Sequence, residues 1–257
     1  MKICVLIKQV PGPDSPVKLN DSGTWIREEN VTFATNESDA YALEEALQIR
    51  EKGGDGEVVA VSLGPERVAR TLREALSKGA DRAIHIQESF PYSTDPFRNA
   101  RLFASALRDE KADLILCGLQ SDDLGMGQTG VMVGELLGMS TATLVMATEM
   151  KGDTLRVKRE LEAGWFQWVS LKLPACITIQ SGINTPRYPS LKGIMGAKKK
   201  EIRSIPAGEL ETGDGQLQSL VRLSLPRKVK RTEMIEGDTV QVVTRLVEIL
   251  KREVKVL

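Results

Sequence analysis

Between Asp113 and Gly138 the chain reads DLILCGLQSDDLGMGQTGVMVGELLG, and no other stretch narrows the possible folds as far. Leu114, Ile115, Leu116 and Cys117 form a short apolar run with no charge in it, closed by Gly118, as in a strand buried on both faces. A polar loop follows. From Gly127 the pattern turns helical, with Val131, Gly134, Leu137 and Gly138 on one packed face and a glycine stop. A loop from the carboxyl end of a strand to the amino end of a helix is where an open parallel sheet holds ligands, because free N–H groups and the positive end of the helix dipole converge there. Gly125, Gly127 and Gly130 let backbone approach a guest, and Gln120, Ser121, Gln128 and Thr129 supply side-chain donors and acceptors. A nucleotide phosphate suits this loop; so does water in an ordinary glycine-rich turn, and the stretch alone does not choose between them.

The same alternation precedes it. Ile3–Ile7 is the first buried strand, followed by a Pro/Gly/Asp-rich loop with room for a small hairpin. Asn36 or Ser38 caps a helix running to Arg50, with Ala40, Leu43 and Leu47 on one face. Glu57–Ser62 is a second strand. Gly64 and Pro65 then open a helix striped by Val68, Leu72, Ala75 and Leu76 and ended by Gly79. Ala83–Ile86 is a third strand, and Asp95 with Pro96 starts a third helix carrying Phe103, Ala106 and Leu107. Strands alternating with helices in this way predict a parallel sheet covered on both faces.

After about residue 140 the pattern changes. Thr141–Met146 suits another strand, and residues 151–180 alternate as an antiparallel hairpin leading into a buried strand at Cys176–Ile179. Trp165, Phe166 and Trp168 fall in the hairpin's turn, where packing in the core or against another subunit is the reading. From Ile183 to Arg203 the chain is basic with little period. Residues 204–237 read as an extended arm, and Asp238 caps a last amphipathic helix bearing Val240, Val243, Val247 and Leu250. That stripe has to be buried on its own domain or on a partner subunit.

Several functions are disfavoured. Acidic and basic residues balance at 35 each, so no overall field draws the chain to nucleic acid or anionic membrane. No run of apolar residues is long enough to span a bilayer. The first strand begins too early for a signal peptide, so a soluble cytoplasmic protein is expected. Cys4, Cys117 and Cys176 are widely separated and lie in apolar runs, which argues for packing rather than a metal or redox motif. No GxxxxGK[ST] motif is present, and no GxGxxG follows the first strand. His85, the only histidine, sits inside an apolar run, where a structural role is expected.

Seven segments, in order and at the right spacing, resemble one family. They are VLIKQVPG, similar to the family's VKxVPD opening with Gly12 in place of the frequent Asp, then NESDAYALEEAL, AVSLGPERV, CGLQSDDLGMGQTG, VKRELEAG, LKLPACIT and NTPRYPSLKGIMGAKKK. Together they resemble the β subunit of electron transfer flavoproteins over nearly the whole chain. The resemblance implies an α/β, Rossmann-like adenine-nucleotide-binding fold: a mostly parallel sheet with helices on both faces, plus a hairpin and a C-terminal arm. It places an α/β nucleotide-binding domain at residues 1–203, with the hairpin at about 153–180 and a recognition loop at 184–200, and an arm and helix packing on a partner subunit at 204–257.

It also implies a carrier rather than an enzyme. Such a chain pairs with an electron transfer flavoprotein α subunit that holds most of the FAD. The heterodimer accepts electrons from acyl-CoA or other flavin dehydrogenases and passes them to a quinone-linked oxidoreductase. In most members the β subunit holds AMP. Carried over, its contacts fall on Leu6, on Asn36, Glu37, Ser38 and Asp39, on Leu63, and on Gly118, Leu119, Gln120, Ser121, Asp122, Asp123, Leu124, Gly125, Met126, Gly127, Gln128 and Thr129. A subset of the family binds a second FAD there and bifurcates electrons. Leu124–Gly127 matches neither pattern, while the QTG ending is the AMP binders', so a second FAD stays the alternative to AMP. In the recognition loop an apolar anchor corresponds to Leu191, with Lys198, Lys199 and Lys200 as a basic rim for docking. Outside the resemblance, an adenylating or ATP-cleaving enzyme on a similar fold and a universal-stress-type nucleotide sensor compete. The first lacks its phosphate-loop motif after the first strand, and the second lacks the hairpin, basic loop and arm.

Overall fold

A strand covered on both faces has no side on which to solvate a charge, and the runs Ile3–Leu6, Val58–Val61, Leu114–Cys117 and Ala175–Ile179 are accordingly buried from end to end. They sit in the middle of a sheet in a computed structural model that describes residues 1–89, 93–210, 217–226 and 232–257. The chain passes through β1 (Lys2–Leu6), β2 (Gln9–Pro11), β3 (Phe33–Thr35), α1 (Glu37–Gly53), β4 (Glu57–Gly64), α2 (Ala69–Lys78), β5 (Arg82–Gln87), α3 (Pro96–Leu107), β6 (Leu114–Gly118) and α4 (Thr129–Leu136). It continues through β7 (Ser140–Lys151), β8 (Thr154–Glu160), β9 (Phe166–Lys172), β10 (Ala175–Ile179), α5 (Leu191–Ala197), β11 (Ile202–Pro206) and α6 (Thr239–Glu248). Two compact units result, Met1–Arg222 and Leu223–Leu257.

The nine-stranded sheet of the first unit runs in the order β11-β5-β4-β1-β6-β10-β7-β8-β9. Pairing is parallel from β11 to β7 and antiparallel through β8 and β9. Alternate residues of each central strand serve opposite layers. Ile3, Val5, Val58 and Ala60 meet Leu43, Leu47, Leu72 and Leu76 of α1 and α2, while Cys4, Leu6, Val59 and Val61 meet Phe103, Leu107 and Val133 of α3 and α4. The fold is therefore an α/β, Rossmann-like arrangement, as the alternation of strands and helices predicts. From β1 the chain winds out to β4 and β5, then crosses back to β6 on the other side of β1. Strand order reverses between β1 and β6, which opens a crevice at their carboxyl ends.

Some elements differ from expectation. The strand expected at Thr141–Met146 extends to Lys151, because its first part pairs with β10 and the rest pairs with β8 beyond an irregularity between Val145 and Ala147. The buried residues of α4 are Gly130, Val133 and Gly134; Gly134 is on the expected face, but Gly130 and Val133 take the place expected of Val131, because the glycines are what meet the strands. A Cβ on Gly134 would lie 2.5 Å from Thr141 Cγ2 and 2.8 Å from Cys176 Cβ. The basic stretch with little period contains α5 and is followed by β11, which pairs with β5 at the sheet edge. Trp165, Phe166 and Trp168 do not pack in the core: Trp165 is 72% exposed, and Arg156 and Lys158 lie over the rings of Trp168 and Phe166. His85 is buried with Nε2 2.9 Å from Gly64 O, and all three cysteines are buried, in keeping with their structural reading.

In the second unit Asp238 caps α6 as expected. Its carboxylate accepts from Val240 N and Gln241 N, and Gln241 Oε1 accepts in turn from Asp238 N, completing a capping box. None of α6 is buried.

Candidate functional site

At the crevice the ends of β1, β4 and β6 and the starts of α1, α3 and α4 border a cleft of about 790 Å³, counted with its solvent-open mouth. Of the expected contacts, Leu6, Asn36, Asp39, Leu63, Gly118, Leu119, Gln120, Ser121, Leu124, Met126, Gly127, Gln128 and Thr129 line it. Glu37, Ser38, Asp122, Asp123 and Gly125 do not; they lie in or against the loop that forms its wall.

That loop is held by side chains from α1's first turn. Asn36 precedes the helix but its side chain makes no cap; Nδ2 donates to Ser38 Oγ and Gln120 O, both at 3.0 Å, and Oδ1 accepts from Asp122 N at 2.9 Å. Ser38 Oγ donates to Gln120 O at 2.8 Å, and Glu37 N donates to Asp122 Oδ2 at 3.2 Å. Asp39 joins the ends of two strands, its carboxylate accepting from Lys8 N at 2.8 Å and Gly118 N at 2.7 Å. Burial pushes this carboxyl up to about 6, against the opposing pull of the Lys8 and Gly118 N–H groups, Asn36 and the Lys8 charge. Lys8 Nζ closes the frame across the loop, donating to Asp123 Oδ1 at 2.6 Å and Ser121 Oγ at 3.2 Å.

The close fit leaves no space for a side chain at Gly118, where a Cβ would lie 2.1 Å from Ser38 Oγ. Gly125 and Gly127 have φ of +61° and +64°, so the loop turns through conformations that favour glycine. Gln128 ends the turn as α4 begins. Helical bonding starts with Met132 N donating to Gln128 O, so the earlier N–H groups of α4 point out of its end beside the cleft. Gly130 seats this end on the sheet: a Cβ there would lie 2.3 Å from Cys117 Sγ, and Cys176 Sγ donates to Gly130 O at 3.2 Å.

This lining fits an adenosine phosphate. The α4 amino end and the glycine backbone suit the phosphate, and apolar Leu6, Leu63, Leu124 and Met126 offer a surface for a flat base. Sequence reasoning missed Ile7, Lys8, Thr94, Pro96, Asn99 and Phe103, which also line the cleft. Thr94 and Pro96 could have been found, since they lie where β5 leads into α3. Asn99 and Phe103 are within α3, and only the packing of α3 across that face of the sheet, beside α4, brings them in.

At the other candidate surface Leu191 is 82% exposed on α5, beside Tyr188, Ile194 and Met195, also exposed. Lys198 and Lys199 are exposed as expected. Lys200 is not on that rim: Nζ donates to Leu76 O at 3.2 Å and Ala80 O at 2.5 Å at the end of α2, and burial lowers its pKa. Among the described residues no cluster of His, Cys, Asp and Glu could hold a metal ion, and no helix is long and apolar enough to cross a membrane.

Comparison with known proteins agrees with this geometry. The model of the electron transfer flavoprotein domain matches residues 24–210. The electron transfer flavoprotein subunit beta of Methylophilus methylotrophus is 36% identical over 259 aligned positions, covering 97% of this chain and 98% of the relative. That of Thermoanaerobacterium thermosaccharolyticum is 35% identical over 96% of this chain and 97% of its own. That of Bradyrhizobium diazoefficiens is 35% identical over the full length of both.

Proposed function

The chain belongs to the electron transfer flavoprotein β-subunit family, and from that premise we propose that it is an electron-carrier subunit holding AMP in the cleft between β1 and β6. It pairs with an α subunit that holds most of the FAD; the heterodimer takes electrons from acyl-CoA or other flavin dehydrogenases and delivers them to a quinone-linked oxidoreductase. The flavin supplies the redox chemistry, and this chain supplies scaffold, nucleotide site and docking face. The observation that carries the AMP reading is the loop 118–129 itself. It is drawn against α1 by Asn36, Ser38 and Asp39 so closely that Gly118 admits no Cβ, and it ends at the open N–H groups of α4. A phosphate placed there would neutralise the positive end of α4.

A second reading, a second FAD in the cleft, has one observation in its favour. A recess lined by Gln9, Phe33 and Arg67 adjoins the cleft and shares Lys8, Leu63, Asn99 and Leu124 with it, which gives a ligand longer than AMP somewhere to extend. Acid extraction of the purified heterodimer separates the two. One FAD and one AMP per heterodimer is expected; two FAD without AMP overturns the AMP reading.

A further inference from the structure

The chain between β10 and α5 is tied down before it presents its exposed face. Arg187, four residues ahead of Leu191, spans two carboxylates of α1. Its Nε and Nη2 donate to Glu44 at 2.8 and 2.9 Å, and its Nη1 and Nη2 donate to Glu51 at 2.6 and 3.0 Å. Its backbone N donates to Glu44 Oε2 as well, at 3.2 Å. Glu44 is buried, and although burial alone would raise its pKa, the Arg187 and Gln48 hydrogen bonds hold it below the usual carboxylate range. Asn184 adds a second tie upstream, donating to Tyr41 O at 3.1 Å and Glu45 Oε2 at 2.9 Å. Beyond α5, Arg73 Nη1 donates to Ala197 O and Lys200 O, both at 2.6 Å. Gly193 lies so close to α2 that a Cβ would sit 2.2 Å from Ser77 O. A seven-residue helix has too few internal bonds to hold itself, so its direction is set by these ends.

We infer that Arg187 is a positioning residue for docking: its paired grip on Glu44 and Glu51 of α1 fixes the angle at which α5 offers Leu191 to a flavin dehydrogenase. This rests on the docking role of Leu191 given above. A planar guanidinium bridging two carboxylates fixes direction as well as distance, which an ammonium cannot do. Orienting an anchor in advance strengthens binding by lowering the ordering cost at the interface, so its loss weakens docking and spares the electron transfer that follows.

The test uses the complete heterodimer and an acyl-CoA dehydrogenase charged with its acyl-CoA, following flavin reduction against heterodimer concentration. Leu191→Ala, Arg187→Ala, Arg187→Lys, the Glu44→Gln/Glu51→Gln pair and the double variant Arg187→Ala/Leu191→Ala are compared. Arg187→Ala is expected to raise the half-saturating concentration about tenfold with the maximal rate and flavin content unchanged. Arg187→Lys should recover little of this, and Arg187→Ala should add little in the Leu191→Ala background, because the arginine acts through the leucine. The Glu44→Gln/Glu51→Gln pair leaves the arginine's charge in place but reduces each two-oxygen, charged grip to a single neutral acceptor, so an unchanged half-saturating concentration in that pair overturns the inference, as do additive effects of Arg187→Ala and Leu191→Ala. Should Arg187→Ala not fold, the Arg187→Lys and glutamine variants carry the same test. If Leu191→Ala itself changes nothing, or the unsubstituted heterodimer is not reduced, the docking reading fails first; if only Leu191→Ala impairs reduction, docking stands and the positioning role is refuted.

Discussion

Asp39 stands where the carboxyl ends of β1 and β6 meet the start of α1, and it is a carboxyl with almost no contact with water. Its backbone donors, Lys8 N and Gly118 N, could not both come so close to a neutral apolar group without being left unpaired. Because burial outweighs these bonds, Asp39 titrates near 6 in the fold against 3.8 when unperturbed. Between those values the folded chain keeps a proton that the unfolded chain has lost. The folded state is therefore favoured at the acid end of this window, and that advantage is gone once pH passes about 6. Glu44, Glu51 and Glu110, held by arginine and lysine partners, have the opposite slope, since their pKa values are lowered. Comparing wild type with Asp39→Asn in urea denaturation across pH 4–7 isolates the one residue: the wild type's margin over the variant is expected to shrink by about 2–3 kcal/mol as pH rises. A margin that is constant with pH would show that Asp39 is already ionised throughout. The sequence placed Asp39 at the site by resemblance, but its unusual titration comes from packing that no spacing reveals.

Helix α4 is held against the sheet by absent side chains rather than by large ones. Gly130 and Gly134, four residues apart, let the helix come close to β6, β7 and β10, and Gly130 lies in the first turn, beside the proposed phosphate. A methyl group at Gly130 meets buried Cys117 Sγ and Thr178 Cγ2, neither of which can retreat from a packed sheet. Gly130→Ala is expected to destabilise the fold by about 1–3 kcal/mol through overpacking. It should also lower the AMP content by moving the helix end; thermal denaturation and nucleotide extraction check the two parts, and an unaltered AMP content would separate the phosphate from α4. The helix and the packing of Gly134 were legible in the sequence, while Gly130 read only as a place where backbone nears a ligand. Val131 looked like the packing residue of the first turn, and only the neighbouring strands show that glycine was required at 130. The hairpin β8–β9 makes a similar point: its alternation predicted the strands, whereas the exposure of Trp165 could not be read from a pattern that a packed aromatic shares.

At the scale of the whole molecule, a ligand that bridges β1, α1, β6 and α4 is linked to stability by mass action. If AMP fills the cleft, removing it from the heterodimer lowers the unfolding free energy by about 2.7 kcal/mol when AMP stands at a hundredfold excess over its Kd. Re-adding AMP should restore the melting temperature and adenosine should not, since adenosine brings no charge to the α4 amino end; equal rescue by both would remove the phosphate from the argument. What the sequence by itself determined was local: uncharged apolar runs are strands covered on both sides, their alternation with striped helices demands a doubly wound parallel sheet, and glycine-rich turns at strand ends mark where a ligand can enter. What only the tertiary structure decided was which distant segments meet. It put β10 between β6 and β7, carried Asn99 and Phe103 into the cleft, turned Lys200 inward onto α2 and brought Arg187 to two glutamates more than a hundred residues earlier. The physical reason is that periodicity records the direction in which each side chain points along its own element, while the partner it finds depends on how the elements are stacked.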